Sequence, residues 1–229
     1  MIKLGGSLAG SARLKAWVAL LAHTGGAAVI VPGGGPFADQ VREAQRRLRF
    51  DDGTAHHMAL LAMEQYGRML AGLDHRLRPA ATRIEIARVC AAGFVPVWMP
   101  ARMALGRSEI PESWDITSDS LAAWLAGLLR SPRLLIVKSV AVPGASVPAT
   151  VLAGQGIVDP AFPAFLARSG SEAWCIDAAR HRAAAAALGA GAGVGTRIVS
   201  ANLRVSGAAI ARLRRHANIG ADDSRARQR

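Results

Sequence analysis

The chain has 229 residues, of which 51% are hydrophobic and 19% charged, and its formal charge is +12. A chain of this length and composition buries a sizeable core and is not of the disordered class, and no apolar run reaches the ~18 residues of a membrane span, so no membrane partner is expected. The positive charge alone would suggest nucleic acid, but the arginines run along the whole chain and aromatics are only 5%; without a zinc-finger spacing or an RNA-binding signature, a solvated basic surface is the reading, with no specific nucleic-acid partner.

Short β-type runs alternate with amphipathic helical segments, which argues for an α/β fold with a mostly parallel sheet. Residues 1–4 read as a strand and 9–23 as a helix with Leu14, Val18 and Leu21 on one face. Residues 27–31 form the second strand, and Pro32-Gly33-Gly34-Gly35-Pro36 is a turn opening a helix over 37–49, with Pro36 in its first turn. A long helix is predicted over 54–73 with Thr54 as N-cap. A helix over 84–92 leads into a buried strand at 95–99, and 103–114 reads as a loop or hairpin. A helix over 118–129, capped by Thr117 or Ser118, feeds the strand 134–140. Beyond Pro143, Gly144, Pro148, Gly154, Gly156 and Pro160 mark irregular loops. Helix 161–168, strand 173–176, helix 178–188 and strand 196–199 complete the domain. From Arg212 to Arg229 a basic, disordered tail is expected. Cys90 and Cys175 stand far apart in apolar surroundings and read as reduced core residues of a cytoplasmic protein.

Of 28 basic residues only Lys3, Lys15 and Lys138 are lysines. A chain that meets its other needs for positive charge with arginine has kept lysine where a compact ammonium is useful. Lys3 ends the first strand before Gly5-Gly6-Ser7, and Lys138 closes Leu134-Leu135-Ile136-Val137. A glycine turn between strand and helix lets backbone N–H groups converge on an anion. Gly33-Gly34-Gly35 repeats the arrangement after the next strand. In a parallel sheet both turns fall at the carboxyl ends of strands, where ligands bind. Asp119 lies in the first turn of its helix, within Trp114-Asp115-Ile116-Thr117-Ser118-Asp119. Between two lysines it would hold both ammonium groups in position while they neutralise a transferring phosphoryl.

The motifs K-L-G-G-S-L, V-P-G-G-G-P-F-A-D, A-H-H-M-A-L-L-A-M-E-Q-Y-G, W-D-I-T-S-D-S-L-A-A and G-T-R-I-V, in that order over residues 1–200, closely resemble the amino acid kinase superfamily. The resemblance implies a three-layer αβα sandwich with an open, mostly parallel sheet. It implies one domain over residues 1–211, with ATP, carrying Mg2+, in the C-terminal half and the acceptor in the N-terminal half. Lys3 would contact the transferred phosphoryl. Gly5, Gly6, Ser7, Ser139, Val140 and Gly156 would border ATP, Gly33, Gly34 and Gly35 the acceptor, and Asp119 would organise the site; no residue is assigned to a protein-bound metal. Several members carry a second lysine after the nucleotide loop, whereas Gly154-Gln155-Gly156-Ile157-Val158-Asp159 has none, and Lys138 is the expected replacement. A homodimer is expected by analogy.

The motifs look most like the compact branch of methanofuran-type cofactor biosynthesis, which phosphorylates an aminomethylfuran phosphate to its diphosphate. Asp39, Glu64 or Asp115 could hold such an acceptor's ammonium and His56, His57 or Arg42 its phosphate; His57, Asp115 and Thr117 are the residues favoured. Other small-molecule acceptors, such as a nucleoside monophosphate or a carboxylate, and a non-catalytic nucleotide-binding sensor are the alternatives.

Overall fold

The computed structural model describes residues 1–200, so the expected tail at 212–229 lies outside the described residues. The strands are β1 (Ile2–Leu4), β2 (Ile30–Pro32), β3 (Leu77–Ala80), β4 (Val95–Trp98), β5 (Arg133–Lys138), β6 (Ser146–Pro148), β7 (Glu172–Asp177) and β8 (Thr196–Val199). They form one sheet in the order β3-β4-β2-β1-β5-β7-β8-β6. Every pairing is parallel except β7 with β8. The central strand β5 reads Leu-Leu-Ile-Val because helices cover both faces of a parallel sheet, leaving no solvent face for polar residues.

The helices are α1 (Ala12–Ala22), α2 (Gly35–Leu48), α3 (Asp52–Leu73), α4 (Arg83–Ala91), α5 (Ala101–Ala104), α6 (Ser118–Leu128), α7 (Ala149–Gly154), α8 (Phe162–Ser169) and α9 (His181–Gly189). Two cores sandwich the sheet. One packs Leu121, Leu125, Phe162 and Leu166 of α6 and α8 against Leu134, Ile136 and Cys175. The other packs Leu14, Trp17, Val18 and Leu21 of α1, with Tyr66 and Leu70 of α3, against Ile2, Leu4, Leu135 and Val137. This is the three-layer αβα sandwich that the resemblance implied.

Some local expectations need correction. The long helix α3 starts two residues early, because Asp51 and not Thr54 is its N-cap: Thr54 N donates to Asp51 Oδ1 at 2.7 Å and Thr54 Oγ1 to Oδ2 at 2.8 Å. The helix α1 starts at Ala12 and not at residue 9, since Gly6–Leu8 forms a 3-10 turn and Ser11 caps α1. The strand β3 was not predicted. It is an edge strand of four residues in which Arg78 and Pro79 face outward, and proline is tolerated there because an edge residue needs no second ladder partner. Of the loop or hairpin expected at 103–114 the fold has the loop, except that α5 occupies its first residues, and buried Ile110 anchors it. The stretch after Pro143, expected to be irregular, holds β6 and α7.

Candidate functional site

Sheet register places the two lysines. Lys3 pairs with Ile136 on the neighbouring strand, and side chains two apart on a strand share a face, so Lys3 and Lys138 emerge on the same face at the carboxyl ends of β1 and β5. Asp119, in the first turn of α6, meets both. Lys3 Nζ lies 2.9 Å from Asp119 Oδ1, an ion pair without good hydrogen-bond alignment, and Lys138 Nζ donates to Oδ2 at 2.7 Å. Lys3 and Asp119 are 4% and 3% exposed, which removes most solvent screening from their attraction.

Burial penalises the charge on Lys3 and lowers its pKa, with repulsion from Lys138 adding to that and Asp119 opposing it. Burial pushes Asp119 the other way, but the two ammonium groups outweigh it and hold the carboxyl below its usual range. The net result is two cations fixed by one anion at the floor of a cavity of about 370 Å³. That cavity is lined by Lys3, Gly5, Gly6, Ser7, Thr117, Asp119, Lys138 and Gly156–Pro160.

The two glycine turns lie backbone against backbone. A Cβ on Gly6 would stand 2.3 Å from Gly35 N, and one on Gly33 would stand 2.3 Å from Gly6 N. Neither position has room for a side chain. Gly33 is therefore a packing residue, buried behind the turn with its N–H on Leu4 O at 2.8 Å. Gly34 and Gly35, by contrast, line a second cavity of about 250 Å³.

This second cavity opens beside the first and shares Gly6, Ser7, Trp114 and Thr117 with it. Leu60, Met63, Ile116, Leu121 and the Trp114 ring give it apolar walls. Trp114 is fixed by a hydrogen bond from its Nε1 to Gln45 Oε1 at 2.6 Å, and the Arg42 guanidinium stacks over its ring at 4.3 Å from the centroid. His56, 6% exposed, also lines this cavity, and its Nε2 has no hydrogen-bond partner. Burial lowers the His56 pKa, as does neighbouring His57, while Glu112 opposes both. The ring is consequently neutral at pH 7 and able to accept a proton donor.

Several expected residues stand elsewhere. His57 is exposed and outside both cavities; one position along a helix turns a side chain by about 100°, and at this point in α3 it is His56 that faces inward. Asp115 is exposed and contributes its backbone carbonyl, which accepts from Ala161 N at 3.1 Å. Glu64 accepts from Ala101 N at 3.0 Å and holds the start of α5. Asp39 lines the second cavity, paired with Arg42 at 3.2 Å. Ser139 and Val140 are exposed beyond β5, with Ser139 tied to the glycine turn through Ser7 Oγ at 3.2 Å. The sequence offers His56 and Arg42 as candidates for the acceptor, whereas the places of Trp114 and Asp159 emerge only in the fold. Trp114 belongs to the W-D-I-T-S-D motif, so the signal was present. Asp159 had only its place after Gly156, and in the fold it accepts hydrogen bonds at the start of α6.

The description "Amino acid kinase family" fits residues 1–142 of this chain. A protein of Methanocaldococcus jannaschii, [5-(aminomethyl)furan-3-yl]methyl phosphate kinase, is 27% identical over 188 residues, which is 77% of this chain and 87% of that protein. Among solved structures, uridylate kinase from Archaeoglobus fulgidus superposes with a TM-score of 0.65 at 15% identity, covering 86% of this chain and 99% of the other. Isopentenyl phosphate kinase from T. acidophilum superposes with a TM-score of 0.58 at 16% identity, covering 86% and 98%.

Proposed function

Because this chain belongs to the amino acid kinase family, we propose that it is an ATP-dependent kinase of a small phosphomonoester, and that the acceptor is an aminomethylfuran phosphate converted to its diphosphate. One observation carries the reading: Asp119 bridges Lys3 and Lys138 in the first cavity, beneath the glycine turn whose Gly6 and Ser7 also line the second. ATP occupies the cavity of Lys3, Gly5, Gly6, Ser7 and Gly156, and the acceptor occupies that of Gly34, Gly35, Arg42 and His56.

An oxygen of the acceptor phosphate attacks the γ-phosphorus of ATP. The bond to the β–γ bridging oxygen breaks, and ADP leaves with that electron pair. An ionised phosphate oxygen carries no proton to remove, so the site needs no general base. Asp119, held ionised by two ammonium groups, is suited to orienting and not to accepting a proton. Lys3 and Lys138 neutralise charge as it develops on the transferring group and the leaving ADP, the main form of catalysis for this reaction. Mg2+ enters as part of the nucleotide substrate, since the two buried carboxylates, Asp119 and Asp159, are already engaged by two ammonium groups and by four hydrogen-bond donors.

The acceptor assignment is supported by the name of the M. jannaschii relative and by the chemistry of the second cavity. Apolar walls with Trp114 suit a small flat ring, Arg42 and the glycine turn suit its phosphate, and neutral His56 suits a donor such as an ammonium group. For assembly we favour a homodimer, because α3 exposes Met58, Leu61, Met69 and Leu73 at helical spacing. Among the described residues no helix is long and apolar enough to cross a membrane.

The test is ADP release from MgATP with aminomethylfuran phosphate, UMP, isopentenyl phosphate and acetylglutamate offered in parallel. Turnover on the furan alone is expected. Faster turnover on another acceptor reassigns the substrate, and ATP binding without turnover on any acceptor would indicate a nucleotide sensor.

A further inference from the structure

We infer that Asp159 is a positioning residue of the transfer site: its carboxylate caps α6 from outside the helix and so fixes Asp119 and the loop that borders the nucleotide cavity. The inference rests on the kinase reading above. Thr117 occupies the N-cap position of α6, yet its side chain caps nothing in its own helix. A threonine there ordinarily accepts from an N–H two or three residues on. Here its hydroxyl donates to Asp159 Oδ2 at 2.8 Å, and its N–H does the same at 3.0 Å. Ser120 N donates to the same oxygen at 3.0 Å, and Ser120 Oγ donates to Oδ1. Four donors from the first turn of one helix thus converge on a carboxylate that is 7% exposed and 39 to 42 residues away in sequence.

A buried carboxylate is costly unless its oxygens are satisfied, and a helix N-terminus is a favourable place for the negative charge. The sequence could have capped α6 locally at no such cost. What the distant acid adds is a tie between segments. Residues on both sides of Asp119 in sequence are clamped, which leaves its backbone little room to shift. On the other side of the tie, Gly156, Ile157 and Val158, directly before Asp159, line the Lys3–Lys138 cavity. The return bond from Ala161 N to Asp115 O closes a second link between the same two segments. Movement of the loop and of Asp119 is therefore coupled through the Asp159 side chain and this backbone bond.

Asp159→Asn keeps the shape but turns one oxygen into a donor facing donors. With wild-type turnover on the best acceptor as reference, kcat of the variant should fall on the order of 10–100-fold, the cost of loosening a positioned group. The KM values for MgATP and acceptor should stay within about twofold, as for a group that acts through another. Ser120→Ala, which removes one of four donors, should lose less. Amide hydrogen exchange over residues 117–121, measured without acceptor, should be faster in Asp159→Asn. An unchanged kcat, a rise in KM for MgATP with kcat intact, or unchanged exchange would each overturn the inference. If the wild-type protein turns over no acceptor, the kinase reading fails, and the exchange experiment alone decides whether the clamp exists.

Discussion

Buried Lys3 and half-buried Lys138 share one buried carboxylate, Asp119, and line an open cavity where both ammonium groups can meet an anionic ligand. Burial opposes the charges on Lys3 and Asp119 and their ion pairs offset that cost, so removal of any one member changes more than a single contact. Lys3→Ala should lower kcat by about 10²–10³-fold, as for loss of one oxyanion donor, and unchanged turnover in a folded variant would remove Lys3 from the mechanism. The pH profile tests the same residue. Burial lowers the Lys3 pKa from 10.5, so the active, charged form is lost as pH rises through a value below that of an exposed lysine. The alkaline limb of kcat/KM, which reports the free enzyme, should accordingly fall below 10.5 and move upward in Lys3→Arg, whose guanidinium does not deprotonate. In the acceptor cavity, His56→Ala should raise KM for an amine-bearing acceptor by roughly tenfold, the worth of one hydrogen bond to a charged group. A matched fall in kcat with KM unchanged would place His56 in the transfer step instead.

Helix termini govern the geometry at the scale of elements. The helices α3 and α6 solve the same problem differently. Asp51 caps α3 from the adjacent residue with two bonds to Thr54, whereas α6 takes its cap from Asp159 across the fold. Asp51→Ala should lower the thermal midpoint by about 2–4 °C for a chain of this size, as for loss of one helix N-cap. An unchanged midpoint would mean that packing of α3 dominates its capping. The contact between the glycine turns is also an element-scale feature. Gly6 and Gly33 exist so that β1 and β2 can deliver their turns within van der Waals contact, which places the two cavities side by side.

For the whole molecule, sheet order decides what meets. The strands β1 and β5 are neighbours although 128 residues separate Leu4 from Arg133 in the chain, and that adjacency brings Lys3 to Lys138. The apolar stripe on α3 belongs to this scale as well. Leu61→Glu should convert a homodimer to monomer in sedimentation analysis, and a wild-type protein that is already monomeric would leave that face without the assigned role. The sequence by itself determined the alternation of strands and helices, the two glycine turns and the lysines beside them, because local patterning and backbone chemistry are written in consecutive residues. Asp119 alone reads as a helix N-terminal residue, and only the motifs taken together mark it as the partner of two cations. Tertiary structure alone decided that Gly33 packs while Gly34 and Gly35 face a cavity, that His56 and not His57 points inward, and that Asp159 caps α6. These outcomes depend on a helix rotation of one residue, on close approach of two turns and on a bond spanning about forty residues, none of which a local pattern encodes.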